Sequence, residues 1–280
     1  MKKHTTKPKR VNYFSVPRPL WCIVKKHLSK PTKQPGPGRS RKPNRAALNG
    51  IWYILWTGRQ WKAIHKDWFG VSSSVLHERF QTWERQGLWE DVFAAMLRFY
   101  GRRRHIHWKW QAVDSRSCPA PLGGSDTGNN PTDRSKQGSK IHILVDQWGA
   151  PLAVWVTGAN QHDKRSIESL VFHNVVKRPT SDQHLCADKA YDSADVHQFI
   201  RQKGYVSHIK HRRRRGELPD PCPIPGETQF PARRWVVERT LSWLVRRRSI
   251  RTRWCKHSQN WLALVQFACA SVLADLAIFG

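Results

Sequence analysis

The residues of this sequence best suited to chemistry are three carboxylates, Asp114, Asp188 and Glu238. Glu238 is the single acid in "RRWVVERTLSWLVRRRSIRTRW", residues 233–254, a stretch that contains eight arginines. Oxygen-rich carboxylate sites suit Mg²⁺ or Mn²⁺. Two such ions, roughly 4 Å apart, can activate a water or a 3′-OH and stabilise the leaving oxygen of a phosphodiester. The three acids are therefore candidate catalytic residues and candidate metal ligands, provided that the fold brings them together.

The elements that must position these acids follow from hydrophobic periodicity. "IHWKWQAVDS" alternates large apolar and polar residues and predicts a strand that ends at Asp114. Residues 115–138 are predicted as a loop, and "KIHILVD" and "PLAVWVT" as a hairpin around "DQWG". "QHLCAD" predicts a fourth strand that ends at Asp188, and "YVSHI" predicts a fifth. Helices are predicted after the third strand, with Asp163 as N-cap, after the fourth, with Ser193 as cap, and in the arginine-rich stretch.

The order three strands, helix, strand, helix, strand, helix matches the ribonuclease-H-like fold, an α/β fold with a mixed sheet. If the first and fourth strands are adjacent, Asp114 and Asp188 lie close together at one edge of the sheet. The last helix can then bring Glu238 over them. Three converging carboxylates repel one another unless cations neutralise them, so this arrangement predicts bound divalent metal ions.

Each acid taken alone also has a structural explanation. Glu238 lies four residues after Arg234, and such a helix pair contributes about 0.2–0.5 kcal/mol. Asp114 and Asp188 fit turn or capping roles, which most aspartates at strand ends have. The joint placement of the three acids on one topology favours the catalytic interpretation.

Other aspartates compete with the three candidates. Asp146 opens the predicted hairpin turn, Asp163 precedes a helix and Asp192 precedes another helix start. A structural role is the first interpretation for each of them. Asp192 is the strongest rival to Asp188, because it follows only four residues later, but it lies beyond the predicted strand end.

The first part of the chain has a different character. Residues 1–44 are rich in Lys, Pro and Gly and are predicted as a basic flexible tail and loop. Residues 45–104 show helical periodicity, and two short helices joined by "WFGVSSS" could form a helix-turn-helix with "SVLHERFQTWERQ" as the recognition helix. An ordinary helical bundle with a charged outer face explains the same spacing. Residues 105–280 change to strand periodicity and are predicted as the catalytic domain.

The charge balance indicates a polyanionic partner. Lys and Arg number 49 against 20 acids, a net charge of +29. Nucleic acid or an anionic membrane surface could balance this excess. The basic residues are spread over the chain and do not follow one amphipathic helix, which disfavours the membrane surface. With 39% hydrophobic residues and 15 Trp, the chain can build a core, which excludes a disordered polycation.

The cysteines and the apolar segments indicate the cellular compartment of the protein. The 6 cysteines are far apart without a CxxC pair, which is typical of reduced thiols in a cytosolic protein and not of a disulfide framework or zinc site. The N-terminal "MKKHTTKPKR" has no apolar region, so no signal peptide is predicted. Residues 261–279 are apolar but contain Gln266 and Asp275, and they are interpreted as a buried helix, not a membrane span.

Several motifs together resemble DDE transposases of bacterial insertion sequences, in the insertion-sequence-five group. They are "AVDS", "TDRSKQGSKIHILVDQWGAPLAVWVTGANQHD", "ADKAYDS" and "RRWVVERTLSWL", with "RAALNGIWYILWTGRQWKAI" similar to the helical region that precedes the catalytic domain in that group. The resemblance places the catalytic triad on Asp114, Asp188 and Glu238 and implies two Mg²⁺ or Mn²⁺ ions. Around the glutamate, Arg234 keeps the family spacing, whereas Pro231 stands at the usual Tyr position and Val245 at the usual Lys position.

The function that the resemblance implies is transposition. Such an enzyme binds the inverted repeats of its element, hydrolyses the end phosphodiesters to free 3′-OH groups and transfers these to target DNA. The expected partner is double-stranded DNA, bound by a homodimer or a larger assembly. The expected location is the bacterial cytoplasm, in association with the nucleoid. A non-catalytic DNA-binding protein derived from a transposase and another ribonuclease-H-like nuclease, such as a junction resolvase, are the alternatives.

Runs of arginine supply candidate contacts to the DNA backbone, because guanidinium groups bind phosphate. The predicted contacts are Arg102, Arg103, Arg104, Arg212, Arg213, Arg214, Arg234, Arg246 and Arg247.

Overall fold

A mixed sheet carries the strands on which the predicted acids lie. The computed structural model describes residues 15–29, 41–211 and 234–279 of the chain. The predicted contacts Arg212, Arg213 and Arg214 and the family position Pro231 lie outside the described residues. The strands are β1 (Trp110–Pro119), β2 (Gly128–Asn129), β3 (Gln137–Asp146), β4 (Pro151–Gly158), β5 (Gln183–Ala187) and β6 (Tyr205–Ile209).

The strand order confirms the predicted topology. β1, β3 and β4 form an antiparallel meander, while β5 pairs parallel to β1 and β6 pairs parallel to β5. The sheet therefore runs β4-β3-β1-β5-β6, and β2 pairs with one end of β3. β5 and the first four residues of β1 are largely buried, which suits strands in the middle of a sheet covered by helices. This is the mixed sheet of the ribonuclease-H-like fold.

Two predictions for the first strand were wrong. β1 does not end at Asp114 but continues to Pro119, and β2 forms within residues 115–138, which were predicted as a loop. The reason is pairing with β3, whose ladder with β1 runs on through Cys118 opposite Ser139. Backbone hydrogen bonds supplied by a neighbouring strand stabilise an extended segment whose own sequence is polar.

Helices cover the sheet and form the N-terminal part. They are α1 (Arg18–His27), α2 (Asn44–Thr57), α3 (Lys66–Phe69), α4 (Ser73–Arg85), α5 (Leu88–Arg104), α6 (Ile167–Phe172), α7 (Ala194–Gln202), α8 (Trp235–Val245) and α9 (Ser258–Phe279). Glu238 lies in the first turn of α8, as predicted for the helix after the last strand.

α1 lies within residues 1–44, which were predicted as a tail and loop. The helix begins after Pro17 and buries Leu20 and Val24, which are four residues apart and share one face. Its last turn carries the basic residues Lys25, Lys26 and His27. Packing against α5 and α9 stabilises a helix that is too short to form alone.

The predicted helical region and the predicted catalytic domain share one hydrophobic core. A continuous cluster of buried side chains extends from α1 to α9 and includes the sheet. α5 packs along α9, and the ring of Phe267 lies 4.7 Å from Trp89 and 5.6 Å from Trp52. The change of periodicity near residue 105 therefore marks a change of secondary structure inside one core.

α9 has the length and composition of a membrane span, but 67% of its most apolar window is buried inside the protein. Its burial on almost every face explains its nearly uniform hydrophobicity. On these grounds α9 is weak evidence for a membrane span, and its position agrees with the predicted buried helix.

α3, Gly70 and α4 occupy the predicted helix-turn-helix. Gly70 has φ +68°, which allows the chain to turn between the two helices. α4 buries Leu76, Phe80 and Trp83 on one stripe, as its periodicity indicated. Its exposed positions include Glu78, an acid on the face that a recognition helix would turn toward DNA. The helix-turn-helix and the helical bundle both fit this geometry.

Candidate active site

The strand register brings Asp114 and Asp188 side by side. Ala112 of β1 pairs with Cys186 of β5, so two residues further along the two parallel strands lie Asp114 and Asp188. β5 ends at Ala187, and Asp188 is the first residue beyond it. The pairing of β1 with β5 ends at Ala112, whereas its pairing with β3 continues past Asp114, which lies opposite Ile143.

α8 places Glu238 over this point of the sheet. Val237, Leu241 and Leu244 bury one side of the helix. The Thr240 hydroxyl donates a hydrogen bond of 2.8 Å to the Gly149 carbonyl in the β3–β4 turn, which fixes the helix against the sheet. Glu238 lies on the exposed side of α8.

Arg234 links two of the three acids. Its Nη1 lies 2.8 Å from Asp188 Oδ1, and its Nη2 lies 3.1 Å from Glu238 Oε1. The i,i+4 salt bridge that was the structural alternative for Glu238 therefore exists. The same guanidinium also holds an aspartate from another element, so the contact is part of a convergence of acids and not only a local helix pair.

Asp114 completes the group electrostatically. Burial is the main cause that raises the pKa of its carboxyl to about 6, and the nearby Glu238 and Asp188 carboxylates contribute to this rise. A hydrogen bond of 2.8 Å from the Ser115 amide and the charge of Arg234 oppose this rise. Because Asp114 interacts electrostatically with both other acids, the three carboxylates lie in one region of the surface, with Arg234 as a neighbouring cation.

The donor set fits divalent cations that prefer oxygen ligands. A buried polar atom nearby supports this fit: the hydroxyl of Tyr191 is buried without a hydrogen-bond partner. Burial raises the pKa of Tyr191 most, and the nearby Asp163, Asp114 and Asp188 carboxylates raise it as well. Among the residues described, no three side chains of His, Cys, Asp or Glu already surround a common metal position. Arg234 supplies the positive charge between the carboxylates in this arrangement.

The rival aspartates have other partners. Asp146 accepts hydrogen bonds from the amides of His107, Trp148 and Ala150, as expected for a residue that opens a turn. Asp192 lies 2.9 Å from His197 Nε2 and 2.9 Å from His211 Nδ1.

Asp163 is not the N-cap that the sequence predicted. His162 holds that position, and Asp163 is the first residue of a short 3₁₀ helix that leads into α6. The Asp163 carboxylate binds Lys140 Nζ at 2.8 Å and the Ser115 hydroxyl at 2.9 Å. Both contacts are made by the same carboxylate oxygen, Oδ1, so Asp163 is held by residues of β3 and β1 and does not cap the helix.

The predicted phosphate contacts fall into two classes. Arg102, Arg103 and Arg104 at the end of α5 and Arg246 at the end of α8 are exposed. Arg247 is 2% exposed: its guanidinium lies over the Trp56 ring and binds Asp275 at 2.6 Å. The prediction that Arg247 contacts DNA conflicts with this position, because the side chain points into the core formed with α9.

Exposed aromatic residues on α8 and in the β3–β4 turn were not among the predicted functional residues. Trp235 is 58% exposed and Trp148 is 51% exposed. The Arg239 guanidinium stacks between Trp235 and Trp243, at 4.8 and 4.7 Å, and donates to the Trp148 carbonyl at 2.8 Å. In the sequence, Trp235 and Trp243 lie four residues before and after Arg239, and this spacing indicates that the three side chains share one face of a helix.

Comparison with known families decides the membership of the chain. The family model described as "Transposase DDE domain" matches residues 110–273, which is more than half of the chain. The chain belongs to the DDE transposase family. The matched residues contain Asp114, Asp188 and Glu238, and a second model, "Putative transposase of IS4/5 family", matches residues 16–93.

Two relatives from Burkholderia cepacia place the transposase among those of insertion sequences. One, "Putative transposase for insertion sequence element IS402", is 32% identical over 61% of this chain and 74% of its own length. The other, "Insertion element IS402 uncharacterized 16.2 kDa protein", is 31% identical over 40% of this chain and 78% of its own. Among solved structures, the piggyBac transposase synaptic complex with hairpin DNA aligns over 92% of this chain and 72% of its own, with 13% identity and a TM-score of 0.47.

Proposed function

We propose that this transposase binds the inverted repeats of its insertion sequence, hydrolyses the phosphodiester at each end and joins the freed 3′-OH groups to target DNA. The observation that carries the proposal is the convergence of Asp114, Asp188 and Glu238 from β1, β5 and α8. Family membership gives a DNA-cleaving enzyme, and the acids supply the oxygen ligands that phosphodiester chemistry requires.

Asp114, Asp188 and Glu238 would hold two divalent ions, Mg²⁺ or Mn²⁺. Such ions supply activation of the attacking oxygen and stabilisation of the leaving one. In the first step a water oxygen bonds to phosphorus while the bond to the 3′ oxygen breaks, which leaves a 3′-OH on the element. In the second step that hydroxyl oxygen attacks a target phosphate and displaces another 3′ oxygen.

The surface around the acids suits a DNA duplex. Arg234 and Arg246 at the two ends of α8 offer guanidinium groups to phosphates, and Trp148 and Trp235 offer exposed rings beside them. The cluster Arg102–Arg104 adds basic charge at the end of α5. Since both ends must be cut and joined together, we infer a homodimer or larger assembly on DNA. We also propose that it acts in the bacterial cytoplasm, at the nucleoid, where its DNA substrate would lie.

The test is Mg²⁺-dependent nicking of a duplex that carries the inverted repeat flanking the coding region. Asp114→Asn, Asp188→Asn and Glu238→Gln should each lower the nicking rate at least about a thousandfold, which corresponds to ~4 kcal/mol of lost transition-state stabilisation. DNA binding should persist, because the amides remove no basic group. Asp192→Asn is the matched control and should retain nicking, since its partners are histidines outside the site.

Full activity in any of the three variants would contradict the assignment of that acid. Specific binding without nicking by the wild-type chain would favour the non-catalytic DNA-binding protein. Preferential cutting of branched DNA would favour the ribonuclease-H-like nuclease.

A further inference from the structure

The Arg234 side chain binds two of the three candidate metal ligands, and the proposed cleavage chemistry does not itself require this contact. One guanidinium reaches Asp188 Oδ1 at 2.8 Å and Glu238 Oε1 at 3.1 Å. The two acids come from different elements, β5 and α8, so the contact joins the two parts of the site. The planar fork of arginine suits two carboxylates at once, and its hydrogen bonds to them are charge-assisted.

The contact keeps the carboxylates in an arrangement that differs from a metal site. Asp188 Oδ1, which binds Arg234, also accepts a hydrogen bond of 2.7 Å from the Lys189 amide. Within the described part of the chain, no three acidic or imidazole groups surround a common point. A divalent ion bound by Asp188 and Glu238 would compete with the guanidinium for the same oxygens and the same space.

Arg234 is free to leave these oxygens because the contact lies near solvent. The side chains of Arg234, Asp188 and Glu238 are 40%, 41% and 49% exposed. Exposed ion pairs contribute about 0–1 kcal/mol each, so a phosphate can replace a carboxylate as partner at little cost. A DNA phosphate at this surface offers the guanidinium the same type of charge-assisted, two-pronged hydrogen bonding.

We propose that Arg234 is an internal counter-cation that keeps Asp188 and Glu238 closed to divalent ions until a DNA phosphate takes over its guanidinium. The inference rests on the proposed function, since it assigns a regulatory role at the same site. Divalent-ion binding and DNA binding are then positively coupled, and by linkage each strengthens the other by the same factor. The arrangement limits metal-bound, cleavage-competent protein to molecules that already hold DNA.

The first experiment measures Mn²⁺ affinity of the full chain without DNA, from the paramagnetic resonance signal of free Mn²⁺. Arg234→Gln should bind Mn²⁺ about tenfold more tightly than the wild type, because two ion pairs that compete with the metal are lost. Arg201→Gln is the matched control: it removes an equal charge from an exposed position on α7 and should change the affinity less than about threefold.

The second experiment measures affinity for a random-sequence duplex with and without Mn²⁺, at constant ionic strength. The gain in affinity on adding Mn²⁺ should be larger for the wild type than for Arg234→Gln, while Arg201→Gln should keep the wild-type gain. This difference is a property of binding and does not depend on nicking.

Equal Mn²⁺ affinity of the wild type and Arg234→Gln would overturn the inference. An equal Mn²⁺-dependent gain in DNA affinity for Arg234→Gln and the control variant would also overturn it. If nicking still requires Asp114, Asp188 and Glu238 in that case, the proposed function stands without the counter-cation. Absence of Mn²⁺ binding by all variants, together with absence of nicking, would overturn both.

Discussion

Arg234 and Arg247 lie at opposite ends of α8 in the same basic stretch, but their surroundings differ in almost every respect. The Arg234 side chain is 40% exposed and shares its fork between two carboxylates of the candidate active site. The Arg247 side chain is 3% exposed and binds Asp275, the Ser271 hydroxyl and the Trp243 carbonyl. One guanidinium can exchange its partners for a phosphate, and the other is part of the core.

The comparison shows that a basic stretch can serve function and stability at once. An arginine enters the interior when its N–H groups find fixed acceptors there, as those of Arg247 do on α9. Arg253, 1% exposed, follows the same pattern with backbone carbonyls, including that of Asp126 at 2.9 Å. Counting arginines therefore overestimates the number of DNA contacts in this part of the chain.

The largest expected effect is a difference in the free energy of unfolding between variants of the two arginines. Arg247→Ala should lower the free energy of unfolding by about 3 kcal/mol, because it leaves a cavity beside Trp56 and buried polar groups without partners. The value lies toward the lower end for buried pairs because Asp275 is 43% exposed. Arg234→Ala should cost less than about 1 kcal/mol. Urea denaturation of both variants measures the difference, and equal losses would remove the distinction.

A smaller effect concerns Asp114, because the charge of Arg234 offsets only part of the rise in its pKa. The pKa of Asp114 in the folded chain is raised to about 6, above its usual value of 3.8, so the folded state favours the protonated acid. Its contribution to stability is therefore present at low pH and is lost as pH rises from about 4 to about 6. Asp114→Asn avoids this loss and should be more stable than the wild type above pH 6, by on the order of 1 kcal/mol after allowance for partial solvent exposure.

Thermal unfolding in EDTA between pH 4 and 8 measures that difference. The advantage of Asp114→Asn should shrink toward zero as pH falls through the window. A constant advantage at every pH would show that the carboxyl does not titrate as its surroundings indicate.

The smallest effect tests which arginines reach DNA. Arg246→Gln should reduce the slope of log K against log salt concentration by about 1, since one phosphate contact is lost. Arg247→Met should leave the slope unchanged when measured below its unfolding transition, because its guanidinium never reaches the surface. Fluorescence anisotropy with a labelled duplex at several salt concentrations measures both slopes, and a change for Arg247→Met would contradict its placement.

Local patterns predicted the elements of the site better than their ends. "QHLCAD" placed Asp188 correctly because a buried strand of a parallel pair is a short apolar run bounded by polar residues. The end of β1 was missed because residues after Asp114 are extended only through pairing with β3, which lies more than twenty residues further along the chain. α1 was missed because its stability comes from α5 and α9 and not from its own sequence.

The sequence by itself determined the types and order of most elements, with α1 and β2 as the exceptions, together with the three candidate acids and the family resemblance. Periodicity and short motifs carry this information because they depend on neighbours along the chain. Only the tertiary structure decided that Arg234 bridges Asp188 and Glu238 and that Arg247 is buried. Both outcomes depend on partners far away in sequence: Asp188 reaches Arg234 from the end of β5, and Ser271 and Asp275 reach Arg247 when α9 packs beside α8.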